Sequence, residues 1–207
     1  MFIIKKILAL MVCAVLITLP TICAAGIFDY PTVAVIPFHK KAAVSADLSL
    51  SDEDIVSEIV NKELTNSGRF DIVDRAYLQE TLDEQYLSMT GSIDQATAAQ
   101  IGQLLGAQYI VVGSITGLSS KKKSNVGGGT YTVIAHVYAR MIEVETGRVV
   151  LAGSGDGISK NRVHKAPFRL IKIGSDEVDQ EQVHEALKQA ATNLVKDMLN
   201  AMNNRQR

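Results

Sequence analysis

Two hydrophobic periods alternate along this chain, and the switches between them mark its elements. Thr32-Val-Ala-Val-Ile-Pro-Phe38 is a short apolar run bounded by prolines, the pattern of a buried strand. Residues 40–49 read as a loop. Leu50-Ser51-Asp52-Glu53-Asp54-Ile55 opens a helix: Ser51 is the expected cap, Asp54 its reciprocal partner, and Leu50 with Ile55 the hydrophobic staple. The three acids there lie where the positive end of the helix dipole favours them. Ile55, Ile59, Val60 and Leu64 keep helical spacing, and Gly68 ends the run. Residues 69–75 alternate like a strand, with Phe70 and Ile72 to one side and Val73 to the other. A polar helix over 75–89 follows. Ser92-Ile-Asp-Gln95 reads as a second capping box, for a helix that reaches Leu105 and stops at Gly106. Gln108-Tyr-Ile-Val-Val-Gly113 is continuously apolar, as in a strand covered on both faces.

Beyond this point the pattern loosens. Residues 117–130 read as a loop, with Lys121-Lys-Lys123 ahead of Gly127-Gly-Gly129. Residues 131–144 and 148–152, joined by a turn at Glu145-Thr-Gly147, form an expected hairpin. Gly153, Gly155 and Gly157 interrupt it. Residues 159–173 carry five Lys and Arg plus His164, and no acid. Residues 175–203 form an amphipathic helix with Val183, Leu187, Ala190, Leu194, Met198 and Ala201 on one stripe. The alternation of helices and strands predicts one compact α/β (α+β) domain, a mixed sheet packed with helices and closed by a long C-terminal amphipathic helix.

The 207 residues are 47% apolar and 21% charged, enough apolar surface to exclude general disorder. Two cysteines exclude a disulfide scaffold, and a net charge of −1 excludes a uniformly basic nucleic-acid binder. The amino terminus has its own logic. Lys5 and Lys6 precede an apolar run over 7–19, Pro20 breaks it, and Cys23, Ala24 and Ala25 are small. The run is short of the ~20 apolar residues of a membrane helix. Residues 1–25 therefore read as a secretory signal peptide cleaved after Ala25, with 26–207 as the exported domain. Cleavage would leave 182 residues of net charge −3 and no thiol. Lipoprotein signals usually place Leu three positions before the acylated Cys and a small residue directly before it. Pro20 and Ile22 stand there, so cleavage is favoured over acylation of Cys23.

No reactive constellation is legible. His39, His136, His164 and His184 are scattered and form no zinc-hydrolase pair. Gly113-Ser-Ile-Thr-Gly117 and Gly153-Ser-Gly155 miss the spacing of a nucleophile elbow. Ile158 stands where a dinucleotide fingerprint needs its third glycine, so the 153–158 segment reads as turn chemistry. The expectation is a protein without catalytic residues, cofactor or metal, working by contact. Its candidate contact residues are Lys121, Lys122, Lys123, Lys160, Arg162, Lys165, Arg169 and Lys172. Such charge suits an acidic protein face, an anionic lipid or an acidic wall polymer, with affinity that falls with salt. The edge of the 131–149 hairpin is a second candidate, for a neighbouring subunit's strand.

Ser67-Gly-Arg-Phe-Asp-Ile-Val-Asp-Arg75, Leu78-Gln-Glu80, Thr97-Ala-Ala99, Gly102 with Leu105-Gly-Ala107, and Tyr109-Ile-Val-Val-Gly-Ser-Ile115 together resemble the curli production assembly/transport component (CsgG-type) family. The stretch Val137-Tyr-Ala-Arg-Met-Ile-Glu-Val-Glu-Thr-Gly-Arg-Val149 and the opening strand from Val33 agree. The core is also similar to the amino-terminal domain of the TolB translocation protein and to lipoprotein activators of peptidoglycan synthases. The resemblance implies a non-catalytic periplasmic domain, associated with the outer membrane, that serves secretion or assembly of surface fibres. Its partners would be envelope proteins or further copies of itself in a ring. The second similarity implies an alternative, a soluble regulator docking on a peptidoglycan-synthase-like complex. Founding members of the curli family add two long amphipathic hairpins per subunit, which build a β-barrel pore. The matching segments here, 118–130 and 158–174, hold only 13 and 17 residues and little apolar alternation. Two spanning strands need ~9–11 residues each. The expectation therefore covers fold and compartment but not a pore.

Overall fold

A computed structural model describes residues 30–41, 50–84, 94–125, 128–165, 172–173 and 180–205. The signal-peptide reading and Cys23 lie outside them. The elements in chain order are β1 Thr32–Val35, β2 His39–Lys40, α1 Leu50–Asn66, β3 Asp71–Ile72, α2 Arg75–Glu84, α3 Gln95–Leu104, β4 Tyr109–Asn125, β5 Gly128–Glu143, β6 Val149–Lys165, β7 Lys172–Ile173 and α4 Gln180–Arg205. They build a mixed seven-stranded sheet in the order β3-β1-β4-β5-β6-β7, with β2 also beside β4. β1 lies parallel to β3 and β4, and β2 parallel to β4. β4 through β7 are antiparallel. The expected α/β class is the one observed.

Strand alternation sorts the core into two layers. Val33, Val35, Phe70, Val111, Ile115 and the odd-numbered residues of β5 from Val133 to Met141 meet α1 and α4 on one face. Ala34, Ile36, Ile110, Val112 and Ile142 meet Leu78 of α2 and Ala98 and Ile101 of α3 on the other. Ile72 packs into the first layer and Val73 into the second, as the period-2 reading of 69–75 requires. The carboxy-terminal helix buries Leu187, Ala190, Leu194 and Met198, four positions of the expected stripe.

Caps and tethers differ in detail from the sequence reading. α1 already includes Leu50, so Ser51 falls inside its first turn and is not the cap. Glu53 accepts a 2.8 Å hydrogen bond from Lys40 N–H, and Ser57 Oγ accepts one of 2.8 Å from Phe38 N–H. These side chains of α1 thus hold the segment from β1 to β2 against the helix. α3 is capped by Asp94, whose carboxylate accepts from Thr97 N–H at 2.8 Å, and not by Ser92, which lies outside the described residues. That bond holds the Asp94 carboxyl below its ordinary pKa. Gly68, Gly106 and Gly147 all have φ near +65°, where a glycine stop or turn is required.

The larger correction concerns the middle of the chain. Most of the segment expected to be a loop, 117–130, belongs to β4 and β5, which pair from Tyr109↔Glu143 to Asn125↔Gly128. β6 likewise runs through the glycines to Lys165. Gly153, Gly155 and Gly157 are not turn residues; they alternate along β6 and face α4. A Cβ on Gly157 would stand 2.6 Å from Ala190 N and closer still to the Ala186 carbonyl. One on Gly153 would stand 2.7 Å from Met198 Cγ. With Ala186, Ala190 and Ala191 also small and fully buried, helix backbone lies directly on strand backbone. Gly155→Val should therefore destabilise the fold by about 3 kcal/mol, because the clash is with backbone that cannot move aside. Ala152→Val, on the exposed face of the same strand, should stay within about 0.5 kcal/mol in the same urea titration.

Candidate functional site

The helices cover only part of what the long strands expose. On the side away from α4, β4, β5 and β6 present a bare face whose rows follow from register: Tyr138 beside Ser154, His136 beside Asp156, Ile134 beside Ile158, Thr132 beside Lys160, and Thr130 beside Arg162. A one-residue bulge between Ile115 and Gly117 shifts β4, so that Lys121 flanks Thr132 and Lys123 flanks Thr130 from its other side. Directly paired residues share a face of the sheet. Lys121, Lys123, Lys160 and Arg162 thus form a rectangle about 10 Å across two strand spacings and about 7 Å along the strands, with two threonine hydroxyls between.

Chain register separates the other candidates. Lys122 lies on the opposite face, its Nζ 4.9 Å from the centroid of the buried Tyr131 ring. Lys165 and Lys172 are opposite each other in the β6–β7 pair. Arg169 lies outside the described residues. The two basic segments, some 40 positions apart in sequence, are therefore neighbours in space through Lys121, Lys123, Lys160 and Arg162.

Toward the core the face changes character. His136 Nδ1 and Asp156 Oδ1 are 2.5 Å apart, and both side chains are exposed. The ring lies over Gly117, where a Cβ would stand 2.9 Å from His136 Cδ2. Lys41, Thr116, Val137, Tyr138 and Ser154 complete the lining of a shallow open pocket of about 500 Å3 around this pair. Tyr138 is 41% and Ile158 49% exposed, so the face combines apolar, aromatic and charged groups. Sequence reading missed this cluster because His136 and Asp156 meet only through strand pairing. The signal was the alternation of exposed side chains through the supposed glycine break. No group of three metal-ligating side chains occurs among the described residues.

The sheet edges determine where further strands can add. β5 is internal, so the edge expected for the 131–149 hairpin does not exist there. β6 carries the free edge of that region, and α4 covers it with side chains. Ser154 N–H donates to Asp197 at 3.1 Å, Ile158 N–H to Gln189 at 2.7 Å, and Asn193 Nδ2 donates to the Asp156 carbonyl at 2.8 Å. Arg205 reaches the Val150 carbonyl. Four residues of helix rise about 6 Å and two residues of strand about 6.8 Å, so Gln189, Asn193 and Asp197 track alternate strand residues. A Q189A/N193A/D197A variant should keep its far-UV dichroism. Amide exchange at Ser154 and Ile158 should rise by about five- to ten-fold, read by NMR.

On the β2 side, His39 Nε2 is buried without a hydrogen-bond partner among the described residues. Burial lowers its pKa below 6.5, Glu53 opposes this, and Lys41 adds to it. The folded state thus favours the neutral ring. Stability from this site is full above pH 6.5 and is lost as pH falls through that value toward the folded-state pKa. Glu53→Gln should move the NMR titration midpoint of His39 further down, since only the opposing charge is removed.

No helix among the described residues is long and apolar enough to cross a membrane. No curated protein sequence matches the chain. Among solved structures it is similar to the LpoB C-terminal domain from Salmonella enterica, with 21% identity, 64% of this chain and 86% of that chain covered, and a TM-score of 0.45. Lipoprotein GNA1162 from Neisseria meningitidis aligns at 10% identity over 84% of this chain and 99% of that one, with a TM-score of 0.45. The PelC dodecamer from Paraburkholderia phytofirmans aligns at 13% identity over 79% and 86%, with a TM-score of 0.33. The family described as curli production assembly/transport component CsgG matches residues 29–207, and the chain belongs to that family.

Proposed function

We propose that this chain is an exported, non-catalytic component of a curli-type secretion or surface-fibre assembly system, acting by contact through the bare face of β4, β5 and β6. Family membership across residues 29–207 supports the system. The observation that carries the contact reading is the gathering of Lys121, Lys123, Lys160 and Arg162 on one uncovered sheet face. Cations placed on an exposed, flat surface attract an acidic partner and speed its encounter without contributing to the core.

The same residues argue against a membrane-spanning role for this extension. The paired segments 121–123, 130–132 and 160–162 lie beyond Val133, the last residue of the core cluster on these strands. A lipid-facing surface needs apolar side chains at every second position. One face here carries the four cations, and the other carries Lys122 and Asn161. The export signal at residues 1–25 and processing after Ala25 belong to this proposal.

The test is a K121E/K123E/K160E/R162E variant expressed from the native locus. It should accumulate as the wild-type chain does, with unchanged dichroism, and should lose surface-fibre export as the deletion does. Normal export by the variant would remove the contact face from the mechanism. Normal export by the deletion strain, with altered peptidoglycan synthesis, would replace the system itself with the regulatory alternative.

A further inference from the structure

The two long edges of the sheet are treated differently. β6 is guarded by Gln189, Asn193 and Asp197 of α4. β4 pairs with β1 and β2 only as far as Ile115, and the last bond on that side among the described residues runs from Lys41 N–H to the Ile115 carbonyl at 3.1 Å. Before the bulge, the carbonyls of Val111 and Ile115 point toward β1 and β2. The one-residue bulge reverses that parity. Leu118 and Ser120 then direct their backbone N–H and C=O away from β5, along an edge with no strand partner among the described residues.

We propose that this edge of β4, from Leu118 to Ser124, receives an extended acidic segment of a partner protein as an added strand. Backbone pairing supplies the attachment, and alternate side chains of the incoming strand supply selectivity. Residues placed opposite Lys121 and Lys123 stand about 5 Å from them on the outer face, so carboxylates at every second position pair with both. A second copy paired β4 to β4 is disfavoured, since that contact brings one lysine run against another. The segment continues the sheet beyond β2 on the proposed contact face, which is why this inference deepens the contact reading and rests on it.

The probe is a capped peptide of about nine residues alternating Glu and Val, followed by fluorescence anisotropy with the purified protein. It should bind, and a version N-methylated on one backbone edge, with its charges intact, should bind about ten-fold more weakly. A K121E/K123E variant should lose about ten-fold as well, as should Ser120→Pro, whose missing N–H faces outward and leaves the β4–β5 ladder whole. Equal affinity of the N-methylated peptide would overturn strand addition in favour of charge attraction alone. So would binding of phosphatidylglycerol vesicles with no binding of the peptide, or full affinity in a folded S120P variant. These measurements use isolated protein, so their failure leaves the export phenotype in cells as a separate result.

Discussion

Backbone contact between α4 and β6 is the constraint on which the rest of the structure depends. A helix axis normally keeps its distance from a sheet because side chains on both surfaces need room. Here Gly153, Gly155 and Gly157 remove them on one side, and Ala186, Ala190 and Ala191 leave only methyl groups on the other. The close approach has a second consequence. It brings the flank of α4 level with the strand edge, within reach of short polar side chains such as Asn193 and Asp197. The glycine stripe therefore sets both the packing and the edge protection.

Element lengths then determine where the free surface lies. β4, β5 and β6 have 16 or 17 residues, about 55 Å at a strand's rise. α1 has 17 residues, about 25 Å at a helix's rise. Helices of this kind cannot cover both faces of strands so long. α2 and α3 close the second face only near the start of β4 and the end of β5, around Ile110 and Ile142. What remains must be compatible with water, and the residues there are Thr, Ser, Lys and Arg in alternation. Ile134, Ile158 and Tyr138 are the apolar departures: the two isoleucines sit between the His136–Asp156 row and the basic rows, and Tyr138 lies on the other side of that row, toward the core.

Much of this was legible before the structure. β1, the beginning of β4 and the stripe of α4 follow from apolar periodicity alone, and the stops at Gly68, Gly106 and Gly147 from backbone chemistry. The second half of β4 was not. Ser119-Ser-Lys-Lys-Lys-Ser-Asn125 has poor intrinsic strand preference, and it is held extended by pairing with Thr130, Tyr131, Thr132 and Val133, which prefer strands. The glycines of β6 misled for a related reason. Their purpose is visible only once a helix some 30 positions later is known to lie against them. The basic segments stood out in the sequence, but which lysines share a face depends on the bulge at Thr116, and a bulge has no clear mark in a single sequence.

The edges complete the physical picture, because an antiparallel sheet this long must control what pairs with it. At β6 the control is geometric: α4 supplies donors and acceptors at nearly the strand's own spacing, so an incoming strand would first have to displace a packed helix. At β4 the control is electrostatic, through a lysine run that repels its own kind yet leaves backbone groups of Leu118 and Ser120 directed outward. The first device excludes all strands and the second excludes only some. An edge meant to stay closed has no use for the weaker device when the fold already contains the stronger one. The asymmetry is therefore better explained by selective pairing at β4 than by protection alone, and it places the selective edge beside the cations of the bare face.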